Sequence, residues 1–252
     1  MTEFELSTSP PNSLRRSYLN SLAEPQEWFL EELIQNGQCW SIPSVAYGVT
    51  SAQTLVEFFV EKSHSEYSLH LFEVLRRQSK FNVVLAKSFD HQLLKTAESF
   101  GAKSTQTGFL FRKYVAATTV SDTGLVFKRS TLADLSAIWE MNDNFFSSFE
   151  EISDLNGLGS LWILEVQNEV VGCGVSTRVI EGRNAIDLGM LISPKWRRRG
   201  YGSILMSKLS SHMVESGLRP ICGCAEHNIA SRMTLQKAGF VTEHRLVHCE
   251  FD

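Results

Sequence analysis

The chain has 252 residues, 43% of them hydrophobic and 21% charged, which is the make-up of an ordinary globular protein with material for two domains. Its 28 acidic and 24 basic residues leave a net charge of −4, so nucleic acid and anionic membranes are poor candidates for the main partner. No apolar run approaches the ~20 residues that cross a bilayer, and the opening stretch MTEFELSTSPPNS lacks the basic and apolar regions of a secretory signal.

Residues 1–13 read as a polar, mobile tail. Residues 14–115 form a first domain, in which helix Ser68 to Gln78 precedes the strand Phe81 to Ser88. The helix His91 to Phe100, Gly101 and the strand Thr107 to Arg112 follow. Tyr114 to Gly124, rich in Thr, Ser, Asp and Gly, reads as the linker to a second domain over 125–252. That domain opens with the strand Leu125–Arg129 and a helix cap at Thr131, with Asp134 as the reciprocal acid. Leu135, Ile138, Trp139, Met141 and Phe145 then recur near helical spacing.

Residues 147–160 read as a loop bearing Glu150, Glu151 and Asp154, acids able to attract a cationic amine. Two apolar runs, Leu161 to Val166 and Val170 to Val175, signal a hairpin. A strand Ala185–Ile192, a helix from Ser203, a strand Arg219–Ala225, a helix Asn228–Ala238 closed by Gly239 and a last strand Glu243–Phe251 complete the chain. The order implies a mixed sheet with helices on both faces. Asp90 to Gly101 spans the same interval as Asn228 to Gly239, which suggests two copies of one unit.

Five cysteines without an export signal suggest reduced thiols and a cytoplasmic protein. Cys222-Gly-Cys224 has the wrong spacing for a zinc knuckle and no second pair, so no metal is expected.

The most informative stretch is SPKWRRRGYGS, Ser193 to Ser203, between a strand and a helix. A helix N-terminus offers unpartnered N–H groups and partial positive charge. Gly200 and Gly202 remove Cβ atoms from an approaching anion, and Arg197, Arg198 and Arg199 add charge-assisted bonds. This pattern makes a pyrophosphate cradle, distinct from Walker A and from the Rossmann fingerprint.

That stretch resembles the acyl-CoA-binding motif of the GNAT N-acetyltransferase family, and Asn228–Ser231 through Lys237-Ala-Gly-Phe240 resembles the family's second motif. The resemblance covers about residues 125–252. It implies the GNAT acyl-CoA N-acyltransferase fold, an α/β mixed sheet flanked by helices, in a tandem of two pseudo-repeated halves. Residues 14–115 form the degenerate half, which lacks the cationic turn. By resemblance, Arg197, Arg198, Arg199, Gly200, Tyr201, Gly202 and Ser203 hold the CoA pyrophosphate. Met190, Leu191 and Ile192 offer backbone to the pantetheine arm, and Asn228 and Ser231 flank it.

The implied activity is acetyl transfer from acetyl-CoA to a primary amine of a small molecule or peptide, by a monomer or homodimer. An acyl-CoA sensor and an aminoacyl-tRNA-dependent transferase are the alternatives. Attack on a thioester needs a neutral amine and so a general base. Asp187 shares a strand face with Gly189 and Leu191 and is the first candidate, Glu226 the second and His227 the third. The family's proton-donating Tyr is matched here by Leu235. Trp139 reads as core, while some of Phe145, Phe146 and Phe149 crowd towards an acceptor wall.

Overall fold

A computed structural model describes residues 3–116 and 124–251. They fall into two compact units that interleave along the chain. One takes in the chain up to Leu110, Ala225–His227 and the stretch from His244. The other runs from Phe111 to Cys224 and from Asn228 to Glu243. A division into 14–115 and 125–252 is therefore too simple, because residues at the C-terminus complete the first unit. Of the expected linker, residues 117–123 lie outside the described residues, and Tyr114 ends a strand.

The N-terminal part of the chain is built from β1 (Glu5–Ser7), α1 (Asn12–Ser21), α2 (Trp28–Gln35), β2 (Gln38–Ile42), β3 (Ala46–Ser51), β4 (Thr54–Val60), α3 (Ser68–Ser79), β5 (Val83–Lys87), α4 (His91–Ser99) and β6 (Lys103–Tyr114). The rest comprises β7 (Leu125–Arg129), α5 (Leu135–Glu140), α6 (Phe149–Gly157), β8 (Leu161–Val166), β9 (Glu169–Arg178), β10 (Ala185–Ile192), α7 (Tyr201–Glu215), β11 (Arg219–Ala225), α8 (Ile229–Ala238) and β12 (Phe240–Glu250). The two series run element for element alike, as the matched intervals suggested.

The sheets are mixed in the same way. In the first unit β1 to β4 pair antiparallel in sequence, and β4 pairs parallel with β5. In the second, β7 to β10 pair antiparallel and β10 pairs parallel with β11. The helices α3 and α7 are the crossovers that parallel neighbours require.

Local chemistry explains most boundaries. The β8–β9 hairpin turns on Gln167 and Asn168, both at positive φ (52° and 65°), which suits the twist of the flanking strands. Asp90 and Asn228 are matching N-caps, accepting from the amides of Leu93 and Ser231 at 3.2 and 3.0 Å. Gly239 closes α8 at φ 111°, and a Cβ there would collide with Val115 O.

Three expectations fail. The supposed tail is anchored, since β1 pairs with β2 and Phe4 is buried with its amide bonded to Gln78 Oε1 at 2.9 Å. A three-residue strand is too short to show periodicity. The helix from Leu135 stops at Glu140, and the 147–160 loop contains α6. Ser148 caps α6 by accepting from the Glu151 amide at 3.2 Å, and Glu151 accepts from the Ser147 amide at 2.7 Å. The Ser-x-x-Glu pattern that marks such a start was present in the sequence.

In the first unit the parallel pairing of β4 with β5 is confined to Thr54–Val83 and Leu55–Val84. Beyond it stands a network of buried polar groups. Lys87, fully buried, donates to Tyr18 Oη (2.6 Å) and Gln26 Oε1 (2.7 Å), with Asp90 at 3.7 Å. Tyr18 donates to Asp90 at 2.7 Å, and Tyr47 to the fully buried Glu57 at 2.9 Å. Arg15 bridges Glu31 and Glu57 at 2.7 and 3.3 Å. Burial, seconded by Asp90 for Tyr18 and Glu57 for Tyr47, holds both phenols well above their ordinary range, so they act as neutral donors. Burial likewise raises the Glu31 carboxyl in spite of Arg15. Such groups are tolerated only while every partner is present. Lys87→Met should therefore destabilise the protein by about 3–5 kcal/mol, read from denaturant midpoints, because it leaves buried Asp90 without its cation and Tyr18 and Gln26 without their donor.

Candidate active site

The second unit's site is built where β10 and β11 part. Their parallel pairing covers Ala185–Arg219, Ile186–Pro220 and Asp187–Ile221 and then ends. On its other side β10 stays paired with β9 through Ile192–Gly172, and the Ser193 amide donates to Val171 O at 3.0 Å. Strand residues alternate, so Leu191 and Gly189 also turn their backbone groups to β9. Leu188, Met190 and Ile192 turn theirs to the open edge. Of the three residues expected to offer backbone to a ligand, Leu191 is paired with β9, Met190 faces away from β9, and Ile192 faces away too but its carbonyl accepts from Arg197 Nε.

The turn after β10 is shaped by its backbone. Arg198 and Gly200 both take left-handed conformations, at φ 62° and 88°. Gly200 is the N-cap of α7 and supplies no side-chain cap, which leaves the first-turn amides at Tyr201, Gly202 and Ser203 without intrahelical acceptors. A Cβ on Gly200 would meet nothing within 4 Å, so this glycine serves conformation. A Cβ on Gly202 would come 2.9 Å from Thr234 Cγ2 and 3.4 Å from Met190 Sδ. That glycine lets α7 lie close to α8 and β10.

The side chains of the turn are largely engaged. Trp196 donates to Glu169 Oε1 at 3.2 Å and meets Tyr201 edge-on at 5.6 Å. Arg199 lies 4.8 Å over the Trp196 ring. Lys195 pairs with Glu169 and, ahead of Trp196, holds that carboxyl below the usual range. Arg197, expected to face an anion, instead bonds Asp143 at 2.8 Å and Ile192 O at 3.0 Å. Nothing in the sequence pattern pointed to Asp143. Asn228 spends its side-chain oxygen on the Ser231 amide, so these two residues meet in the cap of α8.

On the other face of β10, Asp187, Gly189 and Leu191 point towards α5 and α6. Leu191 packs with Leu135, Ile138, Phe146 and Ile152, and the ring of Phe145 covers Gly189, where a Cβ would come 3.1 Å from Cζ. Phe145 and Phe149 are about two-fifths exposed and Phe146 is buried, so only part of the aromatic group can wall a pocket. Trp139, read as core, is equally exposed and packs edge-on against Phe149 at 6.2 Å. Asp187 is half-buried in β10. Glu226 and His227 are exposed and group with the other unit, where the Glu226 amide donates to Thr107 O at 2.8 Å.

Two family models match, one described as the acetyltransferase (GNAT) family over residues 130–240 and one as an acetyltransferase (GNAT) domain over 8–114. The chain belongs to the GNAT acetyltransferase family. Its two halves are tandem GNAT domains. Among solved structures, an acetyltransferase of the GNAT family from Colwellia psychrerythraea is similar, with a TM-score of 0.88, 15% identity and coverage of 99% of this chain and 100% of that one. A tandem GNAT protein of the clavulanic acid biosynthesis pathway has a TM-score of 0.57 at 11% identity, with 98% and 97% covered. A GCN5-related N-acetyltransferase from Sphaerobacter thermophilus has a TM-score of 0.56 at 13% identity, with 86% and 80% covered. At such identities these likenesses show the fold. No curated protein matches the sequence.

Leu235, at the place of the family's tyrosine, is buried at 2% exposure. A phenol there would have to enter a packed interior. Leu235→Tyr should cost about 1–3 kcal/mol by overpacking, seen as a lowered unfolding midpoint.

Proposed function

We propose that the second GNAT unit is an N-acetyltransferase that moves an acetyl group from acetyl-CoA to a primary amine by direct attack in a ternary complex. One observation carries the reading. The β10 edge left open after Asp187–Ile221 runs straight into a glycine-capped helix N-terminus beside three arginines. The amides of Tyr201 to Ser203 suit a pyrophosphate. The outward backbone of Met190 and Ile192 suits the amides of a pantetheine arm, which would complete their hydrogen bonding. A β10 N–H near the thioester carbonyl would stabilise the developing oxyanion.

On the opposite face Asp187 is the base of this reading, accepting a proton from the incoming amine directly or through water, and its half-burial beside Gly189 supports that role. An alkylamine is mostly protonated near pH 7, so a base is worth having. The exposed parts of Phe145 and Phe149 give the acceptor apolar contacts. The thiolate leaves without a phenolic donor from α8, because Leu235 is buried there. That same residue favours a second reading, in which the protein holds acetyl-CoA as a sensor without transfer. The first unit lacks a glycine-capped turn before α3, whose N-cap is Tyr67, and carries a buried polar cluster around Lys87 of β5 and Glu57 of β4. One acetyl-CoA per chain is therefore expected.

Calorimetry should give that stoichiometry. Gly200→Val, which forces a branched residue into a left-handed backbone, and Arg197→Ala should both weaken the affinity. Unchanged affinity in both would remove the cradle.

Thiol release against a panel of amines separates enzyme from sensor. If Asp187 is the base, Asp187→Asn should lower kcat/KM by about 10²–10⁴ with little change in acetyl-CoA affinity, and the residual rate should climb with pH. Loss of activity in Glu226→Gln with full activity in Asp187→Asn would move the base to Glu226.

A further inference from the structure

One ion pair joins the arginine turn to the segment between α5 and α6. Arg197 Nη2 lies 2.8 Å from Asp143 Oδ2, while Arg197 Nε donates to Ile192 O at 3.0 Å. The guanidinium thus ties the end of β10 to that segment. Asp143 adjoins Asn142, whose side chain closes a tight turn. Asn142 Oδ1 accepts from the amides of Phe145 and Phe146 at 3.0 and 2.9 Å, and its Nδ2 donates to Phe146 O at 2.9 Å. Asn144 in the middle is left-handed at φ 56°. Phe146 anchors the turn in the core and Phe145 lies over Gly189, two residues from Asp187. A shift of Asp143 is therefore a shift of the piece of backbone that holds Phe145.

We infer that Asp143 is a positioning residue that couples occupation of the donor site to the shape of the acceptor wall. The inference rests on the reading that the N-terminus of α7 binds a pyrophosphate. The pair with Arg197 is poised for exchange, with side chains 44% and 55% exposed. Ion pairs so exposed contribute little net stability. Arginine with phosphate forms shorter, charge-assisted and often bidentate bonds. A pyrophosphate at the first-turn amides of α7 takes Arg197 from Asp143, and no covalent bond changes. The 142–148 segment then loses its tether and Phe145 can lift from Gly189, uncovering the strand face beside Asp187. Donor binding thereby prepares acceptor binding, and the coupling is reciprocal.

Glu169 provides a control. It also faces the arginine turn, through Lys195 and Trp196, but it sits at the start of β9 and has no bond to the 142–148 segment. Removing its charge changes the electrostatics of the turn and leaves the tether in place.

The test is hydrogen exchange of the peptide spanning 142–148, with free CoA as the probe and calorimetry alongside. In the wild type, saturating CoA should accelerate exchange there. Asp143→Ala should show the faster exchange without CoA, gain nothing further from it, and bind CoA about two- to fivefold more tightly, the worth of the exposed pair. Glu169→Gln should keep the exchange response. If CoA binds the wild type without altering exchange across 142–148, or if Asp143→Ala keeps the response, the coupling is wrong. If calorimetry detects no CoA binding to the wild type, the donor site itself falls and the coupling with it.

Discussion

Two parallel strands that part company after two or three residues leave backbone N–H and C=O groups that must find other partners, since an unmade buried hydrogen bond is costly. Both units contain such a parting, after Leu55–Val84 in the first and after Asp187–Ile221 in the second. The two copies differ in the groups that lie near that parting. In the first, Lys87 of β5 and Glu57 of β4 belong to a buried polar cluster with Tyr18 and Gln26, whose members bond to one another. In the second, the pairing of β10 with β11 goes no further, and the carbonyl of Ile192 accepts from the side chain of Arg197.

The two solutions differ in how firmly they are held. The cluster holds three carboxylates, Glu31, Glu57 and Asp90, and two cations, Lys87 and the partly exposed Arg15, and each buried member depends on its neighbours because an unpaired buried charge is costly. The arginine turn is the reverse case. Its charges are exposed, paired one by one with Asp143, Glu169 and the face of Trp196. Exposed contacts of that kind contribute little net stability. One fold, repeated, thus carries a buried polar cluster in one unit and an exposed charged turn in the other.

Glycine has two separate tasks in the turn, and they explain why the pair Gly200 and Gly202 is placed as it is. Gly200 adopts a backbone that a β-carbon resists, in open surroundings, whereas Gly202 has ordinary backbone and no room. The first sets the direction in which α7 leaves the turn and so aims its amides. The second lets α7 approach α8 and Met190 closely, which keeps those amides beside the open strand edge.

Local rules carried the reading far. The caps at Thr131, Asp90 and Asn228, the closing Gly239, the β8–β9 hairpin and the strand–turn–helix around Gly200 all depend on residues within a few positions of one another, so sequence spacing records them. The same locality made the repeat and the family visible. The missed start of α6 was a local signal passed over, whereas the other failures include matters of long-range contact. Nothing near Phe4 announces that residues distant in sequence bury it, and nothing near Leu235 says that its helix turns it inward. The sequence by itself determined the elements of the second half other than α6, their order and the strand–turn–helix around the arginines, because those are set by spacing along the chain. Only tertiary structure decided that residues from His244 group with the first unit, that Asp143 holds Arg197, and that Lys87 meets Tyr18 and Gln26. Each of these pairs groups far apart in sequence, and their meeting is fixed by how strands align and which faces are buried.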